Sequence, residues 1–283
     1  MNNDISLVVC LWDGYKCIWD GFFRLFKENF SFWDGPIFST IPDDCVINGY
    51  SIKGNGYRGK DKSFSTRLIA TLKNIKSKYI LFFLDDFYLI GPTDKDFFDY
   101  ACKTIRSDKR VKCIVLKDWV KHDARCTKRY NAFFHILCKK APYKITANVS
   151  IYDRHYLLKI LRKGESAWDF EYIGTYRSHF IRSLVLYRDD SKHNAVQYFE
   201  GGLLKRSKVQ DVYRPVLKSL DINIPDSLGV QSNNPKQKSK KHRSDYLYPF
   251  LSRFFRCFKK RGNAYPKIIY KINHVKNEDY IKD

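Results

Sequence analysis

Apolar residues in the first half of the chain fall into short unbroken runs, which alternate with stretches of helical spacing. Unbroken apolar runs bounded by charged residues are typical of strands buried on both faces. The strands predicted in this way are residues 5–11, 44–49, 78–84 and 111–116, each built around a short apolar run. The stretches with apolar residues every three or four positions are 18–30, 63–76 and 93–105. The alternation predicts an α/β fold with a mostly parallel, Rossmann-type sheet sandwiched between helices.

Three other stretches give weaker patterns. Residues 49–59 are rich in glycine but are followed by no Gly-Lys-Ser/Thr, so they predict a mobile loop rather than a phosphate-binding loop. Residues 117–142 are basic and irregular. Residues 143–151 alternate in part and predict a strand, followed by a helix that Asp153 caps.

Two adjacent carboxylates, Asp85 and Asp86, end the most apolar of the predicted strands. Acids at the mouth of a buried strand are costly unless a positive group is bound there. In open α/β sheets, ligands bind at the carboxyl ends of the strands. We therefore interpret the pair as the anchor for a metal–diphosphate, a sugar-nucleotide donor, or both. The alternative is that they begin a loop or cap a helix.

The polar turn after the first strand contains two further candidates, Asp13 and Lys16. In a nucleotide-binding α/β domain, the loop after the first strand lies over the base or the phosphates. We therefore expect Asp13 and Lys16 to contact a nucleotide donor. An ordinary turn between a strand and a helix explains the same residues equally well.

A second acidic cluster interleaves acids with aromatic residues over residues 165–171. An apolar neighbour raises the pKa of a carboxylate and suits it to accept a proton, which favours Asp169 or Glu171 as a base. Trp168 offers an aromatic face that can pack on a sugar ring. The alternative is a capping cluster at the start of the next helix, which would account for Glu171.

The strand that ends in Asp-Asp-Phe-Tyr at residues 85–88 precedes Ala-Trp-Asp-Phe-Glu at 167–171 and Gly-Thr-Tyr-Arg-Ser at 174–178. This combination resembles bacterial GT-A-fold glycosyltransferases of surface-polysaccharide biosynthesis, over roughly residues 5–220. The resemblance implies transfer of a sugar from a nucleotide-sugar donor to a glycan or lipid-linked acceptor. The products of such enzymes are capsule, lipopolysaccharide or O-antigen.

In such enzymes, an Asp-x-Asp motif binds the donor diphosphate through Mn²⁺ or Mg²⁺, and the resemblance assigns this role to Asp85 and Asp86. Phe87 stands where a second, spaced Asp is expected. One carboxylate is therefore free to point away from the metal. A metal-independent variant, in which Lys or Arg neutralises the diphosphate, stays open.

The resemblance also implies an inverting mechanism in which an acidic residue deprotonates the acceptor, here Asp169 or Glu171. Trp168 would then shape the acceptor pocket. Arg177 would neutralise a phosphate on the acceptor side, or would be an ordinary surface charge.

The chain is strongly basic: it contains 52 Lys and Arg residues and 30 Asp and Glu residues, which gives a net charge of +22. Such a charge predicts an anionic partner: nucleic acid, acidic lipid or a phosphorylated substrate. No zinc-finger, helix-turn-helix or RNP-like pattern is present, which argues against nucleic acid as the partner. A non-catalytic protein that binds nucleic acid or an anionic surface is the competing interpretation. The eight Cys contain no Cys-x-x-Cys pair and predict reduced thiols.

The last part of the chain differs in composition. We assign residues 1–230 to a catalytic domain and residues 231–283 to a basic linker and amphipathic extension. Its apolar stripe has helical spacing and consists of Leu247, Phe250, Leu251, Phe254, Phe255 and Phe258. A basic amphipathic helix predicts attachment to an anionic membrane surface; docking on the catalytic domain is the alternative. With no signal peptide and no apolar run of about 20 residues, we expect a cytoplasmic protein peripheral to the inner face of the membrane.

Overall fold

The computed structural model describes residues 4–117, 126–139, 141–188, 195–199, 201–205, 207–224, 228 and 230–231. The chain divides into the units Met1–Asn234 and Pro235–Asp283. The amphipathic stripe predicted in the second unit lies outside the described residues, and its role stays a prediction. Within the described part, none of the helices is long and apolar enough to cross a lipid bilayer.

The described elements alternate between strands and helices along the first half of the chain. The strands are β1 (Ile5–Cys10), β2 (Ile37–Ser39), β3 (Cys45–Ile47), β4 (Tyr50–Lys53), β5 (Tyr79–Leu84), β6 (Val111–Val115), β7 (Thr127–Arg129), β8 (Phe134–Leu137), β9 (Ser150–Asp153), β10 (Leu184–Arg188), β11 (Leu204–Lys205), β12 (Lys208–Gln210) and β13 (Val230–Gln231). The α-helices are α1 (Lys16–Asn29), α2 (Phe64–Asn74), α3 (Lys95–Ser107), α4 (Arg154–Ile160), α5 (Ala167–Ser178) and α6 (Arg214–Ser219).

A ten-stranded sheet with the order β3-β4-β2-β1-β5-β9-β6-β10-β8-β7 forms the centre of the molecule, and β11, β12 and β13 form a small second sheet. The predicted α/β class is confirmed. Most strands of the large sheet run in one direction, as expected, and β9, which lies between β5 and β6 and is antiparallel to both, makes the sheet mixed. β9 begins beside the end of β5, where Ser150 pairs with Phe82, and ends beside its start, where Asp153 pairs with Tyr79.

Helices cover both faces of the sheet, as predicted. Successive residues of β5 point to opposite faces. Phe83 packs against Phe22 and Phe26 of α1, with ring centroids 6.0 and 5.8 Å apart. Phe82 on the other face belongs to a second core cluster, which includes Phe170 of α5. The strand that carries Asp85 and Asp86 is therefore fixed from both sides.

Two of the weaker predictions are wrong. Residues 49–59 are not a mobile loop throughout, because β4 begins at Tyr50 and pairs with β2 and β3. The Tyr50 ring packs on Phe23 and Phe26, which gives this strand a buried anchor despite the surrounding glycines. The stretch 117–142 likewise contains β7 and β8, which pair at the edge of the large sheet.

The strand predicted over 143–151 is also wrong for most of its length, because only Ser150–Asp153 pairs within the sheet. Before it, the backbone N–H groups of two loop residues donate to side chains of α5. Ile145 N–H donates to Thr175 Oγ1 at 2.9 Å, and Ala147 N–H donates to Glu171 Oε1 at 2.8 Å. These bonds replace the strand ladder and bind the loop to α5. Asp153 caps α4 as predicted, accepting from Tyr156 N–H.

Candidate active site

Asp85 follows the last residue of β5 and is 5% exposed. Its Oδ2 accepts hydrogen bonds from the Trp12 backbone N–H at 3.0 Å and from Trp19 Nε1 at 3.1 Å. Burial, together with the neighbouring charge of Asp86, raises the pKa of Asp85 to about 8. The carboxylate is thus held against the loop that follows β1.

Asp86 is partly buried beneath the segment that leads into β11. Leu203 N–H donates to the Asp86 backbone oxygen at 2.7 Å, and Leu204 N–H donates to the Asp86 carboxylate. Burial raises the pKa of Asp86 to about 7. A divalent cation or a guanidinium beside this pair would favour the charged carboxylates, so the site is suited to a positively charged group.

Helix α5 begins with a capping box. Ser166 Oγ accepts from the Asp169 N–H at 3.2 Å, and Asp169 Oδ2 accepts from the Ser166 N–H at 3.0 Å. The capping interpretation of the acidic cluster is therefore correct, but the capping acid is Asp169 and not Glu171. The Asp169 carboxylate is engaged at the helix end.

Glu171 is two residues further along α5 and is 7% exposed. Its Oε1 accepts from Thr146 Oγ1 at 3.0 Å and from Ala147 N–H at 2.8 Å. Burial raises the pKa of Glu171 above its ordinary value, although both hydrogen bonds oppose the shift. A carboxylate that is oriented by two donors and has a raised pKa can accept a proton from a bound hydroxyl group.

Asp86, Trp168 and Glu171 line one pocket of about 490 Å³. The pocket lies between the end of β5, the first turns of α5 and the small sheet. Trp168 is 55% exposed and forms part of the wall. Two acids and an indole that are far apart in the sequence thus share one cavity, whose volume is in the range of small-molecule sites.

The structure does not bring the other predicted residues into this pocket. Asp13 and Lys16 are exposed in and directly after the turn that follows β1. This turn contacts the small sheet, because Tyr15 Oη lies 2.7 Å from Ser207 Oγ between β11 and β12. Arg177 forms a two-bond ion pair with Glu165, with distances of 2.6 and 2.7 Å.

Four further residues lie at or near the site and are not part of any motif in the sequence. Arg67 is 8% exposed, donates to the Leu11 carbonyl at 3.0 Å and lies 4.4 Å from the centre of the Trp12 ring. Burial lowers the pKa of Arg67, and the charges of Asp13 and Asp85 oppose this. The pocket walls also include Asn148, Lys205 and Gln210. No motif identified these residues, because helix and loop packing alone brings them to the site.

The carboxylates of the site fit a metal that binds together with a phosphate. Among the described residues, no group of three or more His, Cys, Asp and Glu could hold a metal ion. Mg²⁺ in proteins is often held by one or two carboxylates, substrate phosphates and water rather than by a protein cage. Asp86 at the pocket wall fits this role, whereas Asp85 is already bound by Trp12 and Trp19.

Comparisons with known proteins give distant similarities only. No protein-family model matches this chain, and no curated protein matches it. Among solved structures, the chain is similar to S. aureus TarS 1-349 in complex with UDP, with 14% identity, coverage of 65% of this chain and 60% of that chain, and a TM-score of 0.42. It is similar to glucosyl-3-phosphoglycerate synthase from Mycobacterium tuberculosis in complex with Mn²⁺ and UDP-glucose, with 10% identity, coverage of 78% and 80%, and a TM-score of 0.36.

The bifunctional IspDF from Campylobacter jejuni is similar at 15% identity, with coverage of 70% of this chain and 52% of that chain and a TM-score of 0.39. The similarity thus spans less than two thirds of the TarS and IspDF chains. Similarities of this size assign no family and no activity to the chain.

Proposed function

We propose that this protein is a GT-A-type glycosyltransferase that moves a sugar from a nucleotide-sugar donor to a glycan or lipid-linked acceptor. The observation that carries the proposal is the pocket shared by Asp86, Trp168 and Glu171. It lies at the carboxyl end of a central strand, where open α/β sheets bind ligands. An acid for the donor side and an acid beside an aromatic face for the acceptor side are what such a transfer requires.

On the donor side, Asp86 would hold Mn²⁺ or Mg²⁺ against the diphosphate, with Asp85 supporting the loop after β1. A bound metal would neutralise the charge of the leaving diphosphate. The same loop is followed or flanked by Asp13, Lys16 and Arg67. These three residues are candidates for binding the nucleotide. Lys205 at the pocket wall is a cation that could serve the diphosphate in a metal-independent variant.

On the acceptor side, Glu171 is the candidate base. It would take the proton of the acceptor hydroxyl group while the hydroxyl oxygen forms a bond to the anomeric carbon of the donor sugar. The bond from that carbon to the diphosphate breaks, and the nucleoside diphosphate leaves with the electron pair. This direct displacement inverts the anomeric configuration. Trp168 would pack on a sugar ring, and Asp169 would act through the capping box that fixes α5.

We further propose that the enzyme works at the inner face of the cell membrane in the synthesis of a surface polysaccharide. The net charge of +22 and the amphipathic stripe between residues 247 and 258 support attachment to anionic lipid. Replacing Phe254 and Phe255 by Ser in the full chain should reduce co-flotation with anionic vesicles. Equal flotation of this variant and the wild-type protein would contradict the proposed attachment.

The direct test is a thermal-shift screen of nucleoside diphosphates and nucleotide sugars, with and without Mn²⁺, followed by a transfer assay. One nucleotide should raise the melting temperature of the wild-type protein. Asp86→Ala should lose this shift and the transfer, whereas Asp34→Ala, an exposed acid elsewhere, should keep both. Salt-sensitive binding of random oligonucleotides without any nucleotide-sugar binding would favour the non-catalytic alternative.

A further inference from the structure

Helix α5 carries aromatic residues every four positions, at Trp168, Tyr172 and Tyr176, and Phe180 continues the series just beyond the helix end. Residues four apart lie on the same face of a helix. Trp168, Tyr176 and Phe180 are 55%, 44% and 74% exposed. We call these four residues the α5 aromatic stripe. Exposed apolar residues that cluster on one face of a helix often mark a binding site.

Two of the rings in the stripe contact each other, and a third contacts a ring of the preceding loop. The ring centroids of Tyr176 and Phe180 are 5.3 Å apart, in an edge-to-face arrangement. Tyr172 lies beside Tyr143 of the preceding loop, with centroids 5.3 Å apart and hydroxyl oxygens 2.7 Å apart. Tyr143 adopts a left-handed backbone with a φ of 51°, which is uncommon for a residue with a side chain. The loop thus extends the stripe sideways.

The helix under the stripe is held firmly. Its first turn is fixed by the Ser166–Asp169 capping box, and its last turn by the ion pair of Arg177 with Glu165. Its opposite side packs into the core, where a β carbon at Gly174 would lie 3.0 Å from Ile160. A rigid helix of this kind binds a ligand without the cost of ordering its own backbone.

We propose that the α5 aromatic stripe binds the oligosaccharide part of the acceptor, as a row of sugar subsites that leads away from the pocket. This inference rests on the proposed function and adds to it that the acceptor is a chain of several sugars. The stripe is continuous with the pocket, because Trp168 belongs to both. The rise of about 6 Å over four helical residues is close to the length of one pyranose unit. The tyrosine hydroxyl groups can bond to sugar hydroxyl groups.

The charges of α5 favour a neutral glycan over an anionic membrane as the occupant. Binding to anionic lipid places Lys and Arg beside the aromatic residues. Helix α5 instead carries two acids, Asp169 and Glu171, and one cation, Arg177, whose guanidinium is bound by Glu165. The helix under the stripe therefore lacks the row of surrounding Lys and Arg residues that such a surface needs, and Arg182, two residues after Phe180, is an exposed cation at its far end.

The test is calorimetric titration of the full-length protein with malto-, cello-, chito- and manno-oligosaccharides, from monosaccharide to hexasaccharide. In one series, affinity should increase with length as each further ring is covered. Tyr176→Ala/Phe180→Ala should weaken hexasaccharide binding about tenfold and leave binding of the monosaccharide unchanged. The matched control is Phe133→Ala, which removes a ring that is 47% exposed on another surface.

A thermal shift with UDP and the other nucleoside diphosphates, measured on the same samples, separates this inference from the proposed function. Length-dependent binding that needs Tyr176 and Phe180 supports the stripe as a glycan site even if no nucleotide binds. Hexasaccharide binding that is absent, independent of length or unchanged in the double variant overturns it. Loss of anionic-vesicle binding in the double variant, with oligosaccharide binding unchanged, overturns it in favour of a membrane surface.

Discussion

The α carbon of Gly202 lies directly against the carboxylate of Asp86, so that a β carbon at this position would overlap the carboxylate oxygen. The φ of Gly202 is 80°, in the left-handed region. Gly201 next to it has a φ of 74°, but among the described residues, its chain neighbours aside, no atom lies within 4 Å of the position of its β carbon. The two glycines therefore share the same backbone requirement and differ in their contact with Asp86.

Alanine variants of the two glycines separate the effect of backbone strain from the effect of a steric clash with Asp86. Alanine at either glycine should lower the free energy of unfolding by roughly 1–2 kcal/mol, because both positions require a left-handed backbone. Only Gly202→Ala should also displace the Asp86 carboxylate. We expect Gly202→Ala to need about ten times more nucleotide for the same thermal shift. Gly201→Ala should not change the nucleotide concentration that is needed. Equal nucleotide affinity in the two variants would exclude Asp86 from the donor site.

Replacement of Glu171 should affect the chemical step more than binding. Glu171→Gln keeps the shape of the side chain and can still bond to Thr146, but it cannot take a proton. We expect kcat to fall by about 10²–10⁴, the usual contribution of a general base, with little change in the affinity for nucleotide. The measurement is a transfer assay combined with a nucleotide titration.

The matched control for Glu171 is Asp169→Asn, which weakens the capping box of the same helix. A lost cap costs about 1 kcal/mol of stability and should lower the melting temperature with a smaller effect on kcat. If Asp169→Asn reduces kcat as strongly as Glu171→Gln while the melting temperature stays the same, the base is Asp169.

The buried acid pair should make the metal-free protein less stable as the pH rises. The pKa values of Asp85 and Asp86 are raised to about 8 and about 7, from an ordinary value of 3.8. Between pH 4 and 8 the folded state therefore binds more protons than the unfolded state, and the free energy of unfolding falls as pH rises through this window. Urea unfolding in EDTA at several pH values measures this slope.

Asp86→Asn should flatten the slope, since the amide does not titrate, whereas Asp34→Asn should leave the slope unchanged. Mn²⁺ with the bound nucleotide should oppose the loss of stability at high pH, because a nearby cation favours the ionised carboxylates. A slope that is the same in the wild type and in Asp86→Asn would show that Asp86 does not contribute to the pH dependence of stability in this range.

The central strand and its twin acids could be predicted from the sequence because their signal is local. An apolar run that ends in two charges needs no knowledge of the rest of the chain, and the same holds for the aromatic and acidic residues of α5. The walls around Asp86 could not be predicted, because Gly202 and Gln210 reach it through a small sheet whose pairing is set by packing. The pattern around Ile145 and Ala147 predicts a strand, because the sequence does not reveal that side chains of α5 accept hydrogen bonds from their N–H groups.

Arg177 forms an ion pair with Glu165, which indicates a structural role for Arg177 rather than the expected role in phosphate binding. The two side chains are 17% and 7% exposed and share two hydrogen bonds. Removing one partner of a well-buried pair leaves the other charge unsatisfied, at a cost of about 3–5 kcal/mol, and the remaining exposure of Arg177 should bring the loss towards the low end. Arg177→Met should therefore lower the free energy of unfolding by about 3 kcal/mol.

The double variant Arg177→Met/Glu165→Gln should recover part of this loss, because neither charge is then left alone. Arg182→Met, an exposed cation four residues after Ser178, is the control and should change stability little. Denaturant unfolding of the wild type, Arg177→Met, Glu165→Gln and the double variant gives the coupling energy of the pair. If Arg177→Met instead keeps its stability and loses affinity for a phosphorylated acceptor or for nucleotide, the guanidinium serves the ligand and the contact with Glu165 is incidental.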